Sequence, residues 1–491
     1  MHLFAEPIEL PTVTVAHRAG RLARTAAAFG RHLAPVRARK TLRRPLPETA
    51  TMRGVKLAFD DLGATYLKLG QFVAASAALV GEEVAAEFRG CLDAGPPVPF
   101  TAVRRAVESE LGRPLEEVFD SFEETPVAAA SISVVHRAVL RDGQAVAVKV
   151  LRPGIEEVVA TDLDTMEPMF RFLARQGMGM AAGLLQFVSG LRAQIAEELD
   201  LRNEARAMER FRQLFAEAEL DLLVVPHVVA AASGRRVLTM ELLEGVAVDD
   251  LDRIGELGID PRPVIEQLLR SWYLGVVRDG VFHGDIHAGN LMMLRDGRIG
   301  VLDWGIVARL DADTHNAYRR IVEACLGDES AWLDVTNHFL RLGAGMGETV
   351  LSPEEIAPIL RSQIEPMLTR PLGEVGMVMF QPPQGGADSG LPEVPVDDPF
   401  GDPFGFNEGP PKNMRERWRR RARVKKAARR LLDGSPIDTE FNLANLLTIK
   451  QIIYLEHYGK LYLPEVSLLS DELFLRRLLG HPEEPVPAAA G

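Results

Sequence analysis

The residues best suited to chemistry lie in Val281-Phe-His-Gly-Asp-Ile-His-Ala-Gly-Asn-Leu291, where Asp285 is followed five residues later by Asn290. An aspartate and an asparagine at that spacing in one loop are the parts of a phosphoryl-transfer site. The aspartate orients an attacking hydroxyl or takes its proton, and the asparagine binds Mg²⁺. Such a site needs a second metal-binding carboxylate one hairpin further on. Leu291–Leu294 and Ile299–Leu302 are apolar runs separated by Arg295-Asp296-Gly297-Arg298, whose Asp-Gly step favours a tight turn, and the second run delivers Asp303-Trp304-Gly305. Asp285 is therefore the candidate base or orienter, and Asn290 and Asp303 are the candidate metal ligands.

These groups work only beside a phosphate-binding element. Pro126-Val-Ala-Ala-Ala-Ser131 reads as a small-residue loop, followed by the β-rich run Ile132–Leu140, an Asp142-Gly143 turn and a second strand ending Val146-Ala-Val-Lys149-Val. Ala128, Ala129, Ala130 and Ser131 are small enough to admit phosphates, and a strand lysine at 149 can reach the α and β phosphates. Alone, Lys149 reads equally well as an edge-strand lysine whose amine snorkels to water. Asp285, Asn290 and Asp303 downstream favour the functional reading. A carboxylate partner for the lysine belongs on Leu191–Phe215, which reads as one helix from Leu191, Ile195, Leu199, Met208, Phe211 and Phe215. Glu197, Glu198 and Glu204 are all candidates there, and spacing does not choose among them. A hairpin turning at Ser233-Gly234-Arg235 runs through Val237–Met240 into Glu241-Leu-Leu-Glu-Gly245, the expected hinge, with Glu241 and Leu242 offering backbone groups to adenine. The amphipathic stretch Val264–Val277 then leads into the catalytic loop.

Upstream, residues Thr51 to Phe100 read as helical and end at Gly95-Pro-Pro-Val-Pro99, and Thr101–Phe122 reads as a further helical unit. Lys68, Gly70 and Gln71 lie within the first of these. Composition gives them no task beyond a polar cluster on a helix.

Taken in order, Lys68-Leu-Gly-Gln71, Ala128-Ala-Ala-Ser131, Val146-Ala-Val-Lys149, Glu198-Leu-Asp200, His283-Gly-Asp-Ile-His-Ala-Gly-Asn290 and Asp303-Trp-Gly305 resemble the UbiB/ADCK (AarF-type) family of atypical protein-kinase-like proteins. The resemblance implies an α+β, protein-kinase-like bilobal fold with an N-terminal helical extension and a C-terminal helical segment. It further implies an Ala-rich loop in place of a Gly-rich one, with Lys68, Gly70 and Gln71 forming a regulatory motif that folds over the cleft and obstructs protein substrates. ATP and Mg²⁺ are the implied cofactors. ATP hydrolysis or autophosphorylation in support of ubiquinone or related lipid metabolism is the implied activity, with a lipid or quinone precursor as ligand. It also makes Glu198 the preferred partner of Lys149. Three departures stand out. Ile132-Ser-Val-Val-His136 replaces the usual Ile-Gly-Gln-Val-His, Trp304 replaces the usual phenylalanine, and the hydrophobic C-terminal membrane segments of some bacterial members are missing.

The expected organisation is a basic segment 1–50, a helical extension 51–125, a kinase-like N-lobe 126–245, a C-lobe 246–370, a Pro/Gly-rich disordered insertion 371–412 and a basic, helical segment 413–491. Leu443–Tyr462 has helical apolar spacing, but Lys450, Glu456, His457 and Lys460 argue against a membrane span; it is expected to pack on the large lobe rather than touch lipid or a partner. With 491 residues, 47% of them hydrophobic, the chain is globular, and its net charge of −13 argues against nucleic acid as a partner. Cys91 and Cys325 form no disulfide framework or zinc spacing and read as core residues of a protein in a reducing compartment. No signal pattern or membrane-spanning run is present, so a cytoplasmic protein is expected. Thr12–Pro47 has no acidic residue, and Arg415–Arg430 is a second basic run. Either stretch would suit peripheral contact with anionic lipid at the inner face of the membrane; basic helix faces paired with acidic patches of the same chain rank ahead. A transit peptide is disfavoured by Glu6, Glu9 and early prolines.

Two other functions compete with the kinase or ATPase reading: a catalytically weak, nucleotide-responsive scaffold for lipid or quinone enzymes, and a small-molecule phosphotransferase, against which the Lys68–Gln71 motif and the Ala-rich loop speak. Gly177-Met-Gly-Met-Ala-Ala-Gly183 is rejected as a dinucleotide site because no strand precedes it, and His283, Asp285 and His287 are rejected as a metallohydrolase cluster. His136 and His283 read as structural hydrogen-bonders.

Overall fold

The structure, a computed structural model, describes residues 10–42, 49–75, 82–88, 97–175, 179–343, 352–374 and 439–480, with isolated positions 8, 45, 47, 415, 419 and 422. Cys91, Gly95, Pro96, Gly177, the Pro/Gly-rich stretch beyond residue 374 and all but three positions of the Arg415–Arg430 run lie outside the described residues. The chain divides into two compact units, one made of Met1–Phe211, Val225–Leu243 and Pro403–Thr439, the other of Arg212–Val224, Glu244–Asp402 and Glu440–Gly491.

In the first unit the strands Phe119–Phe122, Ser133–Leu140, Ala145–Leu151 and Val237–Glu241 lie side by side in that order, all antiparallel, and Ala128–Ala129 adds to Ser133–Leu140. The central hairpin runs in register from Ser133 opposite Leu151 to Val139 opposite Ala145. Its turn uses Gly143 at φ +90°, where a side chain would be strained. The period of two along Ala145–Leu151 sends Val146, Val148 and Val150 into a core with Val103, Val107, Leu115, Phe119, Val134 and Val237. Lys149 therefore belongs to the opposite face of the sheet. Burial of each such valine contributes about 1.5–3 kcal/mol, so the strand that carries the lysine is anchored by its neighbours. Two expectations need adjusting. Ala128–Ala129 is strand because Val127 N donates to Val135 O and Ala130 N to Ser133 O. Thr101–Phe122 gives the helices Phe100–Leu111 and Leu115–Val118, then ends as a strand with Phe119 buried opposite Leu140.

The helical extension consists of Val15–Thr41, Ala50–Leu62, Ala64–Ala75 and Glu82–Phe88, with Gly63 at φ +83° separating the second and third. Phe59 joins them, its ring 5.5 Å from both Tyr66 and Phe88. The acid-free helix Val15–Thr41 finds its counter-charges within the chain: Arg18 pairs with Asp164 at 2.7 Å, Arg31 with Asp61 at 3.1 Å, and Arg21 with buried Asp162.

The second unit holds a four-stranded sheet in the order Leu223–Val224, Ile299–Val301, Leu291–Leu294, Gly245–Ala247, and a ribbon of Val281–His283 with Val307–Arg309. The helix Arg262–Leu274 ends in a π turn, Gly275–Asp279, directly before the ribbon. A Cβ on Gly275 would stand 2.6 Å from Val281 O, so only glycine lets that turn lie against the strand that leads into the loop of Asp285. Ala312–Cys325, Ala331–Gly343 and Pro353–Thr369 pack through Ile321, Ala324, Ala331, Trp332, Val335 and Ile364, and Thr439–Tyr462 and Glu472–Leu478 complete the described helices. Cys325 is partly buried, its thiol pushed up to about 11 by burial. Among the described residues no helix is long and apolar enough to cross a membrane.

Candidate active site

The loop carrying Asp285 begins where the strand Val281–His283 leaves its partner and ends in the 3-10 turn Ala288–Asn290, capped by His287 Nδ1, which accepts from Gly289 N at 3.0 Å. Asn290 Nδ2 donates to Asp285 O at 2.9 Å. That bond ties the asparagine to the aspartate's own backbone and turns the amide oxygen, the hard donor a divalent cation prefers, the other way. The Asp296-Gly297 turn closes the expected hairpin, Val301 stands opposite Leu291, and Leu302 N donates to Asn290 O at 2.8 Å. Asn290 and Asp303 are thus held at one end of one hairpin. Asp303 adopts φ +48°, uncommon for a residue with a side chain, and its Oδ1 accepts from Gly305 N at 3.2 Å. Trp304 is buried, with Nε1 donating to Val301 O at 2.9 Å and its ring 4.5 Å from that of His283 and 6.2 Å from that of Phe215. It fills the place of the usual phenylalanine with a larger ring.

His283 is a structural hydrogen-bonder. Its Nδ1 accepts from Asp285 N at 3.0 Å, which leaves Nε2 to donate to Leu302 O at 3.3 Å. Burial pushes its pKa down to about 4, against the smaller opposing influence of Asp285, so the ring is neutral near pH 7.

Sequence reasoning missed the contribution of the helix Thr439–Tyr462. Lys450 Nζ lies 2.7 Å from Asp285 Oδ1, Gln451 Oε1 accepts from Ile286 N at 2.9 Å while its Nε2 donates to Gly284 O at 2.6 Å, and Tyr458 OH donates to Ile286 O at 2.9 Å. The helical spacing and the packing on the large lobe were legible. Partners 165 residues away in the chain were not.

In the first unit, Lys149 Nζ lies 2.8 Å from Glu204 Oε1. Glu198, the preferred partner on resemblance, instead takes Lys68 Nζ, at 2.9 Å from Oε1 and 2.6 Å from Oε2, and Gln194 Nε2 at 3.0 Å. The physical reason is a break in what reads as one helix. Gly179–Glu198 stops, and Leu201–Glu217 begins after Asp200, whose Oδ1 accepts from Arg202 N at 3.1 Å. Glu198 therefore closes one helix and Glu204 stands in the first turn of the next, so each meets its own lysine. Gly70 is buried and Gln71 half-buried on the helix that carries Lys68.

The Ala-rich segment is pinned from below: Arg152 Nε and Nη2 both donate to Ala130 O, at 3.0 and 2.9 Å, and Ser131 is buried. Ser133 and Val134, which replace the usual Gly-Gln, are buried too, Val134 within the sheet's apolar core. At the expected hinge Glu241 N donates to His227 O at 2.8 Å and Leu242 N to Ala145 O at 3.4 Å. Those two amides are committed, which leaves the carbonyls of Glu241 and Leu242 as the acceptors they can offer a nucleobase. Among the described residues, no three His, Cys, Asp or Glu side chains gather into a metal cage. Mg²⁺ needs none, because it is commonly held by one or two protein oxygens with phosphates and water completing the shell. The Asn290 and Asp303 oxygens fit that chemistry.

Residues 91–334 match a family model described as the ABC1 atypical kinase-like domain. An aarF domain-containing protein kinase of the Arabidopsis thaliana chloroplast is 39% identical over 291 residues, 58% of this chain and 53% of that protein. A probable protein kinase UbiB of Marinobacter nauticus is 30% identical over 341 residues, 68% of this chain and 61% of that protein. The chain thus spans between half and two thirds of the length of these relatives. Among solved structures, a Mycobacterium tuberculosis protein in complex with erythromycin is 26% identical with a TM-score of 0.41, over 68% of this chain and 80% of that one.

Proposed function

The chain belongs to the UbiB/ADCK (AarF-type) family of atypical protein-kinase-like proteins, and from that premise we propose that it binds Mg²⁺-ATP and transfers or hydrolyses the γ-phosphoryl group in support of isoprenoid quinone or related lipid metabolism. The observation that carries the reading is the backbone frame that sets Asp285 beside Asn290 and Asn290 at the same hairpin end as Asp303: Asn290 Nδ2 on Asp285 O, and Leu302 N, next to Asp303, on Asn290 O. Asp285 orients the acceptor hydroxyl or water and takes its proton. Asn290 and Asp303 would hold the Mg²⁺, which when bound neutralises charge on the phosphate oxygens. Lys149, braced by Glu204, contacts the α and β phosphates, and the small side chains of Ala128 to Ser131 give those phosphates room. Carbonyls at Glu241 and Leu242 receive the adenine amino group. Lys68, Gly70 and Gln71 tune nucleotide handling through the bond of Lys68 to Glu198.

The test is release of ADP from ATP by the purified chain with Mg²⁺, with and without anionic liposomes. Turnover that Asp303→Asn abolishes, in a variant that still melts cooperatively, is the expected result, and stimulation by liposomes would support the lipid role. Bound ATP with no ADP in either condition would overturn phosphoryl transfer and leave a nucleotide-responsive scaffold.

A further inference from the structure

The helix Thr439–Tyr462 grips the backbone on both sides of Asp285, through Gln451 to Gly284 and Ile286 and through Tyr458 to Ile286. This grip sets the helix in one register against the loop. In that register Lys450 Nζ meets Asp285 Oδ1 at 2.7 Å, and both side chains are half-buried. Between Asp285 and Asn290 the loop reads Ile-His-Ala-Gly and carries no lysine or arginine. Its one titratable side chain, His287, has Nε2 4.0 Å from Asp285 Oδ2. A carboxylate that must work beside a triphosphate is repelled by it unless a cation stands close, since two like charges a few ångströms apart at a protein surface cost several kcal/mol at an effective dielectric of about 20. Lys450 lies well outside residues 91–334, so the family match assigns it nothing.

We propose that Lys450 is the positioning residue of the phosphoryl-transfer site: its ammonium fixes Asp285 Oδ1, offsets the repulsion between that carboxylate and the incoming triphosphate, and leaves Oδ2 for the acceptor. The inference rests on the phosphoryl-transfer reading. In the step it serves, the acceptor oxygen bonds to the γ-phosphorus as the bond from phosphorus to the β–γ bridging oxygen breaks. The electron pair of that bond leaves on ADP, the acceptor's proton passes to Asp285 Oδ2, and Lys450 keeps its protons throughout.

The test compares the full chain with Lys450→Met, Lys450→Arg and Lys450→Ala, measuring kcat and KM for ATP, binding of a fluorescent ATP analogue, and melting temperature. Lys450→Met is expected to lower kcat about tenfold to a hundredfold, the cost of a misplaced reacting group, and to weaken analogue binding as well, since Asp285 then meets the triphosphate without its cation. Lys450→Arg should recover most of the loss, and added ethylammonium should restore part of the turnover of Lys450→Ala. A merely structural lysine would lower the melting temperature along with kcat, whereas a positioning lysine lowers kcat with the melting temperature nearly unchanged. Wild-type turnover with Lys450→Met inside twofold of it, or equal losses in the Met and Arg variants without amine rescue, overturns the proposal while the phosphoryl-transfer reading stands. If the wild-type chain releases no ADP, that reading falls and takes this inference with it.

Discussion

The two units each place a lysine on a carboxylate at nearly the same distance, and water separates the two cases. In the first unit Lys149 and Glu204 meet at 2.8 Å with side chains 7% and 3% exposed, and Lys68 and Glu198 at 2.6 Å with 11% and 6%. In the second, Lys450 and Asp285 meet at 2.7 Å with 22% and 19%. A buried pair whose one member is removed leaves a charge that water cannot reach, which costs far more than the pair itself contributes. A wetter pair loses little on separation, because water takes over each partner. The fold therefore depends on the dry pairs whatever they also do for the nucleotide, whereas the wetter one can serve a reaction without the fold depending on it.

The largest expected effect tests the dry side. Lys149→Met removes the lysine that buried Glu204 pairs with and should cost about 3–5 kcal/mol in urea unfolding, while the double variant with Glu204→Leu should recover most of that loss. A single-variant cost below about 1 kcal/mol would erase the contrast between the units. Under the proposed function nucleotide binding should fall in both variants, since neither keeps the ammonium proposed to meet the phosphates.

What the sequence made legible follows from how local each signal is. The hairpin delivering Asp303, the strand pair carrying Lys149 and the loop of Asp285 and Asn290 are each set by alternation and a Gly-containing turn within about twenty residues, and all appear where expected. The partner of Lys149 was not legible. Choosing between Glu198 and Glu204 depends on the helix break at Asp200, and apolar spacing runs straight across that break because Ile195, Leu199, Met208 and Phe211 are all buried. Of the helix Thr439–Tyr462 the sequence made legible only the helical apolar spacing over Leu443–Tyr462 and its packing on the large lobe. Its Lys450-Gln451 pair carries no local pattern that points at Gly284, Asp285 and Ile286, since a tertiary contact across 165 residues leaves no trace in spacing.

The next effect concerns a neutral buried ring in each unit. Burial lowers the pKa of His136 in the first, where Nδ1 meets Glu123 O at 2.8 Å, and takes that of His283 in the second to about 4. An unfolded histidine titrates near 6.5, so between that pH and the folded value the unfolded chain binds the extra proton and stability falls with acidity. For His283 the loss is complete below about pH 4 and amounts to roughly 3 kcal/mol. Stability measured at pH 7 and again at pH 5 should drop for the wild type and drop less for His283→Gln. Parallel losses in both proteins would show that the ring is not the group responsible, and repeating the comparison with His136→Gln would assign the remaining slope between the units.

The smallest expected effect is the one that sharpens the comparison most. Lys450→Met should change the unfolding free energy by less than about 1 kcal/mol, as befits a partly hydrated ion pair. Gln451 and Tyr458 keep the helix on the loop through bonds to Gly284 and Ile286 that the substitution does not touch. Salt should separate the cases as well: raising ionic strength from about 0.01 to 1 M shortens the screening length from about 30 to 3 Å, which should narrow the small stability difference between wild type and Lys450→Met but leave the large cost of Lys149→Met nearly unchanged. A Lys450→Met cost of several kcal/mol at every salt concentration would place this pair with the dry ones and make the lysine a structural anchor of the C-terminal helix, whereas a negligible cost beside a large fall in kcat isolates its effect on the reaction.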